Sequence, residues 1–159
     1  AAGNSFNCAL LEEALGERSQ LCWGEGWFGQ FGAPPTYGGP TSVPFPFDVE
    51  RLALGGDHSC ALDSRGSVTC WGTNLFGQTG RDDTEGRDVH LLADALPIGK
   101  LTAKKVACGQ NHCCAITADD EISCWGRNVA GQLAQTPHRS GAKDTGRAQK
   151  KCSRTTSPM

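Results

Sequence analysis

Leu54-Gly55-Gly56-Asp57-His58-Ser59-Cys60-Ala61-Leu62, followed by Cys70-Trp71-Gly72 and then Gly77-Gln78, decides how this chain is built. Two other stretches repeat the pattern. Ala2-Gly3-Asn4-Ser5-Phe6-Asn7-Cys8-Ala9-Leu10 leads to Cys22-Trp23-Gly24 and Gly29-Gln30. Cys108-Gly109-Gln110-Asn111-His112-Cys113-Cys114-Ala115-Ile116 leads to Cys124-Trp125-Gly126 and Gly131-Gln132. So many matches in register three times over mark one supersecondary unit used in tandem.

Spacing inside the unit predicts a β-hairpin. Between Cys60 and Cys70 the turn residues sit in the middle, and a three-residue loop Ser64-Arg65-Gly66, with Gly66 at positive φ, sets Cys60 opposite Cys70. The strand period of two then puts Leu62 and Val68 on the cysteine face, with Ala61, Thr69 and Trp71 on the other. The third unit repeats this with Cys114, Ile116, Ile122 and Cys124 around a loop near Asp119-Asp120. The first hairpin is longer, and Leu11–Gly16 is read as one helical turn within it. Both faces are small or apolar, so each sheet is expected to be sandwiched between neighbours.

The rest of the composition agrees. In 159 residues there are 21 glycines and 8 prolines, the punctuation of many short strands. No apolar run approaches the roughly 18 residues that span a bilayer. Net charge is −2 but unevenly placed: residues 1–135 carry −7 and residues 136–159 carry +5. An acidic body without a basic stripe argues against nucleic-acid binding. The basic end, with almost nothing apolar to bury, is expected to be a poorly ordered tail. The chain opens on Ala1-Ala2-Gly3 without a recognisable secretion signal, so it is read as processed or as an internal fragment.

His-Ser-Cys-Ala-Leu at 58–62, followed by Trp71-Gly72-Thr73-Asn74-Leu75-Phe76-Gly77-Gln78-Thr79-Gly80, resembles the repeat of the regulator of chromosome condensation family. Trp125-Gly126-Arg127-Asn128-Val129-Ala130-Gly131-Gln132 is similar, with Ala134 where a last glycine is usual. The first unit departs further, with Phe6 in place of the histidine and Gly26 in place of the asparagine. The resemblance implies an all-β fold, each repeat of about 50 residues giving one four-stranded blade of a seven-bladed propeller. Three repeats, about 1–48, 49–103 and 104–135, then make an incomplete propeller or part of a larger one, because propellers use about four to eight blades. Members with a Cys-Trp-Gly signature resemble secreted or cell-surface propellers, including plant receptor-kinase ectodomains. The family namesake is an intracellular nucleotide-exchange factor.

The hairpin register and this resemblance together imply disulfides Cys8–Cys22, Cys60–Cys70 and Cys114–Cys124, with buried thiols as the alternative. Cys108, Cys113 and Cys152 remain, and Cys108 can pair with either of the others. Cys108, His112, Cys113 and Cys114 crowd together in the manner of metal ligands, but no second cluster at zinc-finger spacing completes a tetrahedron, so no metal is expected.

His58 and His112 recur at one motif position, which points to a structural imidazole bonded to neighbouring backbone rather than to catalysis. Trp23, Trp71 and Trp125, with Gly77 and Gly131, complete the predicted motif core. No nucleophile–base context, phosphate loop or paired-carboxylate motif is present. Asp82-Asp83-Thr84-Glu85 is read as a solvated loop, and Trp27-Phe28 as core packing between blades, with a protein contact as the alternative if they are exposed. The expectation is a non-enzymatic scaffold without cofactor, extracellular or at the cell surface, binding other protein chains or further blades. The alternative is an intracellular exchange or scaffolding propeller of the nucleus or cytoplasm.

Overall fold

The computed structural model describes residues 1–12, 18–81 and 89–134. The basic segment 136–159, the acidic run 82–85 and most of the first hairpin's loop lie outside them. Leu11 and Glu12, assigned above to a helical turn, are instead the last residues of a strand, paired with Ser19 and Arg18.

The chain is all-β. In chain order the strands are β1 (Phe6–Glu12), β2 (Arg18–Gly26), β3 (Thr36–Pro44), β4 (Val49–Leu54), β5 (His58–Asp63), β6 (Ser67–Thr73), β7 (Val89–His90), β8 (Pro97–Cys108), β9 (His112–Thr117) and β10 (Ile122–Gly126). β1, β2 and β3 form one antiparallel sheet, and the others form a second in the order β10-β9-β8-β6-β5-β4, with β7 against β6. β8 is shared: Thr102 and Pro97 pair with the outer edge of the second hairpin, while Ala103–Cys108 pairs with β9. The repeat boundary read at residue 103 therefore falls inside a continuous strand.

Each predicted hairpin is present. Cys8 stands opposite Cys22, Cys60 opposite Cys70 and Cys114 opposite Cys124. The second turn is Ser64-Arg65-Gly66 with Gly66 at φ 85°, and Asp63 Oδ1 accepts hydrogen bonds from the backbone N–H of Arg65 and Ser67. The core follows from the two faces. The cysteine face of β5 and β6 (Cys60, Leu62, Val68, Cys70) packs with Cys113, Ala115 and Trp125 of the third repeat. Its other face, Ala61 and Trp71, packs with Val49, Leu92, Val43 and Phe45. One blade is thus clamped on both sides, and β5 is buried along its whole length.

Candidate functional site

Two arrangements carry the chemistry: a seam between successive repeats, and a rim of loops beside it. The seam begins at the Gly-Gln turn. Gln30, Gln78 and Gln132 each accept, through Oε1, the backbone N–H two residues back, at 2.8 Å every time. The turn so fixed presents its backbone carbonyl to the next repeat. Trp71 Nε1 donates to Gln30 O at 3.1 Å, and Trp125 Nε1 donates to Gln78 O at 3.0 Å. Ser59 Oγ adds a second bond to Gln30 O. Motif tryptophan and motif glutamine are therefore the two halves of one contact between consecutive repeats.

Glycine is required on both sides of this seam. Gly72 and Gly126 hold φ near +100°, and a Cβ on either would meet the carbonyl oxygen of Asp57 or Asn111 within 2.6 Å. Gly3, Gly55 and Gly109 make room for the ring three residues on, those of Phe6, His58 and His112. That contact accounts for the Gly-x-x-aromatic pattern.

Trp23 corrects the sequence reading. Trp71 and Trp125 are buried, but Trp23 is 39% exposed. The described residues hold no repeat in front of the first, so no glutamine carbonyl and no cysteine face cover its indole. His58 is a second correction. It is fully buried, yet its Nε2 lies 3.0 Å from Cys113 Sγ instead of bonding backbone, and its Nδ1 has no hydrogen-bond partner. Burial, with a smaller contribution from His112, pulls its pKa down to about 4, so the ring is neutral at physiological pH. His112 is only half-buried.

Disulfides join Cys8–Cys22, Cys60–Cys70, Cys108–Cys113 and Cys114–Cys124. The Cys108–Cys113 bond spans β8 and β9, at the register position held by Leu54 and Ser59 in the second repeat. Because that position faces the preceding repeat, Cys113 Sγ also lies 3.5 Å from Cys60 Sγ. Sequence reasoning grouped Cys108 and Cys113 with His112 and Cys114. The neighbours that the fold supplies are His58 and Cys60, and the signal that could have shown it was the replacement of both Leu54 and Ser59 by cysteine in the third copy.

The rim lies just before each Gly-Gln turn. Trp27 is 57% exposed, Leu75 48% and Val129 52%. These are equivalent positions, so three repeats present the same apolar point on the same side. Phe28 is exposed beside Trp27, and the Arg127 guanidinium sits 4.8 Å from the centroid of the Phe76 ring, which links the second and third loops. Gly77 is buried in its turn and Gly131 half-buried.

Residues 49–78 and 103–132 match the regulator of chromosome condensation (RCC1) repeat. The chain is 34% identical over 145 residues to the ultraviolet-B receptor UVR8 of Arabidopsis thaliana, covering 84% of this chain and 30% of the receptor. It is 38% identical over 95 residues to the guanine nucleotide exchange factor SRM1 of Saccharomyces cerevisiae, covering 58% and 20% respectively. Among solved structures, yeast Prp20p, described with its binding to Gsp1p and histones, superimposes with a TM-score of 0.68 at 28% identity, over 93% of this chain and 34% of that one. Human WBSCR16 shares the fold with a TM-score of 0.75 at 24% identity, over 94% of this chain and 38% of that one. The chain thus spans between 20% and 38% of the length of these four proteins.

Proposed function

We propose that this chain is a non-enzymatic protein-binding scaffold whose contact surface is the loop rim of its RCC1 repeats. One observation carries the reading. Trp27, Leu75 and Val129 occupy one motif position three times over, and each is about half exposed beside a turn fixed by its own glutamine. Repeated apolar points on a rigid frame suit a protein partner, with Trp27 and Phe28 as the anchoring aromatics. The acidic body favours a polypeptide partner over nucleic acid, and no helix among the described residues is long and apolar enough to cross a membrane. Further blades, of the same protein or of another, are the second kind of partner, met through the end faces.

The test is affinity purification from the native source with the wild-type chain and with a Trp27→Ser, Leu75→Ser, Val129→Ser variant. A partner retained by the first and lost by the second supports the reading, provided the two chains melt alike. Identical retained proteins for both would rule the rim out.

The disulfides support an extracellular or cell-surface setting, where such bonds persist. The likeness to SRM1 favours the second reading, an intracellular exchange or scaffolding propeller. Alkylating the native chain before reduction separates them. With eight of the nine cysteines bonded, one label per chain is expected outside the cell, and eight or nine labels would support the intracellular reading.

A further inference from the structure

His58, Cys60, Cys108 and Cys113 come from two repeats and converge so that one donor atom of each lies within 4.8 Å of all the others. His58, Cys60 and Cys113 are fully buried, while Cys108 is half-buried. Cys108 borders an open depression lined by Gly3, Gly55, Gly56 and Gln110, which gives small solutes access to the cluster.

We propose that these four residues form a metal site for Zn²⁺ when the Cys60–Cys70 and Cys108–Cys113 disulfides are reduced, so that two bonds that each lie within one repeat give way to a metal that bridges the second and third repeats. Three thiolates and one imidazole are a common structural zinc set. With zinc–sulfur bonds of about 2.3 Å and zinc–nitrogen bonds of about 2.0 Å, tetrahedral ligands stand roughly 3.3–3.8 Å apart. Cys60 Sγ to Cys113 Sγ is already 3.5 Å, and His58 Nε2 to Cys113 Sγ is 3.0 Å. Reduction lets Cys108 Sγ separate from Cys113 Sγ to the same spacing.

A second observation singles out this place. The third copy of the repeat carries cysteine at both positions of the pair that is Leu54 and Ser59 in the second copy. That pair faces the preceding repeat, whose own histidine and cysteine complete the set. The second copy, with Leu54 and Ser59 there, offers its neighbour no such ligands.

Two equivalents of a dithiol reductant supply four electrons and four protons and open the two disulfides, becoming oxidised to disulfides themselves. Zn²⁺ then displaces the thiol protons of Cys60, Cys108 and Cys113, and the neutral imidazole of His58 gives the fourth bond. Cys70 is left as a free thiol.

The experiment uses the full chain with Co²⁺ as the probe, refolded with the metal present under a phosphine reductant. The expected result is one Co²⁺ per chain with thiolate charge-transfer absorption and tetrahedral d–d bands, displaced by Zn²⁺. Cys60→Ser, Cys108→Ser, Cys113→Ser and His58→Ala should each weaken binding by more than about tenfold, the least that even an outer-shell loss costs. His58→Cys should restore it. Cys70→Ser, the Cys8→Ser, Cys22→Ser pair and the Cys114→Ser, Cys124→Ser pair should leave affinity unchanged, and the oxidised chain should show no thiolate band. Metal binding drives folding of such sites, so absence of a one-to-one complex overturns the proposal. So does equal loss in the control variants, unchanged binding in His58→Ala, or a thiolate band from the oxidised chain.

Discussion

Ala134 holds φ at +54°, in the place where the two earlier repeats put Gly32 at +85° and Gly80 at +70°. Its N–H closes the same turn onto Gly131 O that Gly32 closes onto Gly29 O and Gly80 onto Gly77 O. An L-residue in this region is strained by roughly 1–2 kcal/mol, partly offset because glycine loosens the unfolded chain. Ala134→Gly should therefore raise stability by about 1 kcal/mol in urea unfolding, and a loss would show that the turn is not under strain. His58 supports a prediction of the opposite sign. Burial lowers its folded pKa to about 4 from the ordinary 6.5, so between those values the unfolded chain binds more protons than the folded one. Its contribution is fully present above pH 6.5 and declines as pH falls toward 4, by on the order of 3 kcal/mol in all. Asp57, raised by burial and by Glu25, pulls the other way at the acid end. The comparison is therefore with His58→Gln in the oxidised chain, whose stability should fall less between pH 6.5 and 5. Parallel curves would mean that the imidazole titrates normally.

At the scale of the element, the tryptophan-to-glutamine seam gives a contrast within one chain. Trp71 is fully buried and bonded to Gln30 O, so Trp71→Ala should cost about 3–5 kcal/mol. Trp23, at the same motif position, is 39% exposed and should cost clearly less, about 1 kcal/mol. Thermal melts of the two variants check this, and equal losses would mean that the first repeat is covered in a way its exposed indole does not suggest. The same contrast shows what was legible in the sequence. Hairpin register, Gly66 at the turn and the facing cysteines follow from period two and turn chemistry, which are local properties, and the structure has them where the spacing put them. The covering of Trp23, the sulfur partner of His58 and the meeting of Cys113 with Cys60 depend on which copy stands beside which. A single repeat carries no information about its neighbour, so these could be read only by comparing copies. Even then the two cysteines at the Leu54 and Ser59 positions gave a signal without a location. The shared strand β8 was illegible for another reason: Pro97 and Gly99 look like breaks in a strand pattern, and Gly99 does turn to φ 47°, while pairing of Pro97 and Thr102 with β6 and of Ala103–Cys108 with β9 carries the strand on past it.

At the scale of the whole molecule, the two end faces are chemically the halves of an interface that occurs inside. On the first repeat, Leu11 and Trp23 share the face that in the second repeat buries Trp71, and they are 38% and 39% exposed. On the third, Ile116 and Ile122 are the cross-strand pair corresponding to Leu62 and Val68. They are 39% and 46% exposed where the inner pair is at 2% or below. Gln132, which completes the last Gly-Gln turn, is half-buried, whereas Gln30 and Gln78 are fully buried under the next tryptophan. Repeat arrays stack because each sheet cannot bury its own faces, and ends left apolar associate. Each face is the natural partner of the other, so copies of this chain should meet head to tail through the contact that Trp71 makes with Gln30. Such a contact is heterologous and grows into rings or open stacks rather than stopping at a pair. Static light scattering of the 16.8 kDa chain should show mass rising with concentration, and hydrophobic dye should bind the dilute species. Trp23→Ser together with Ile116→Ser and Ile122→Ser should reduce both signals. A chain that stays monomeric and dye-free at all concentrations would show that these faces are already satisfied, and that the seam geometry of the inner repeats does not extend to the ends.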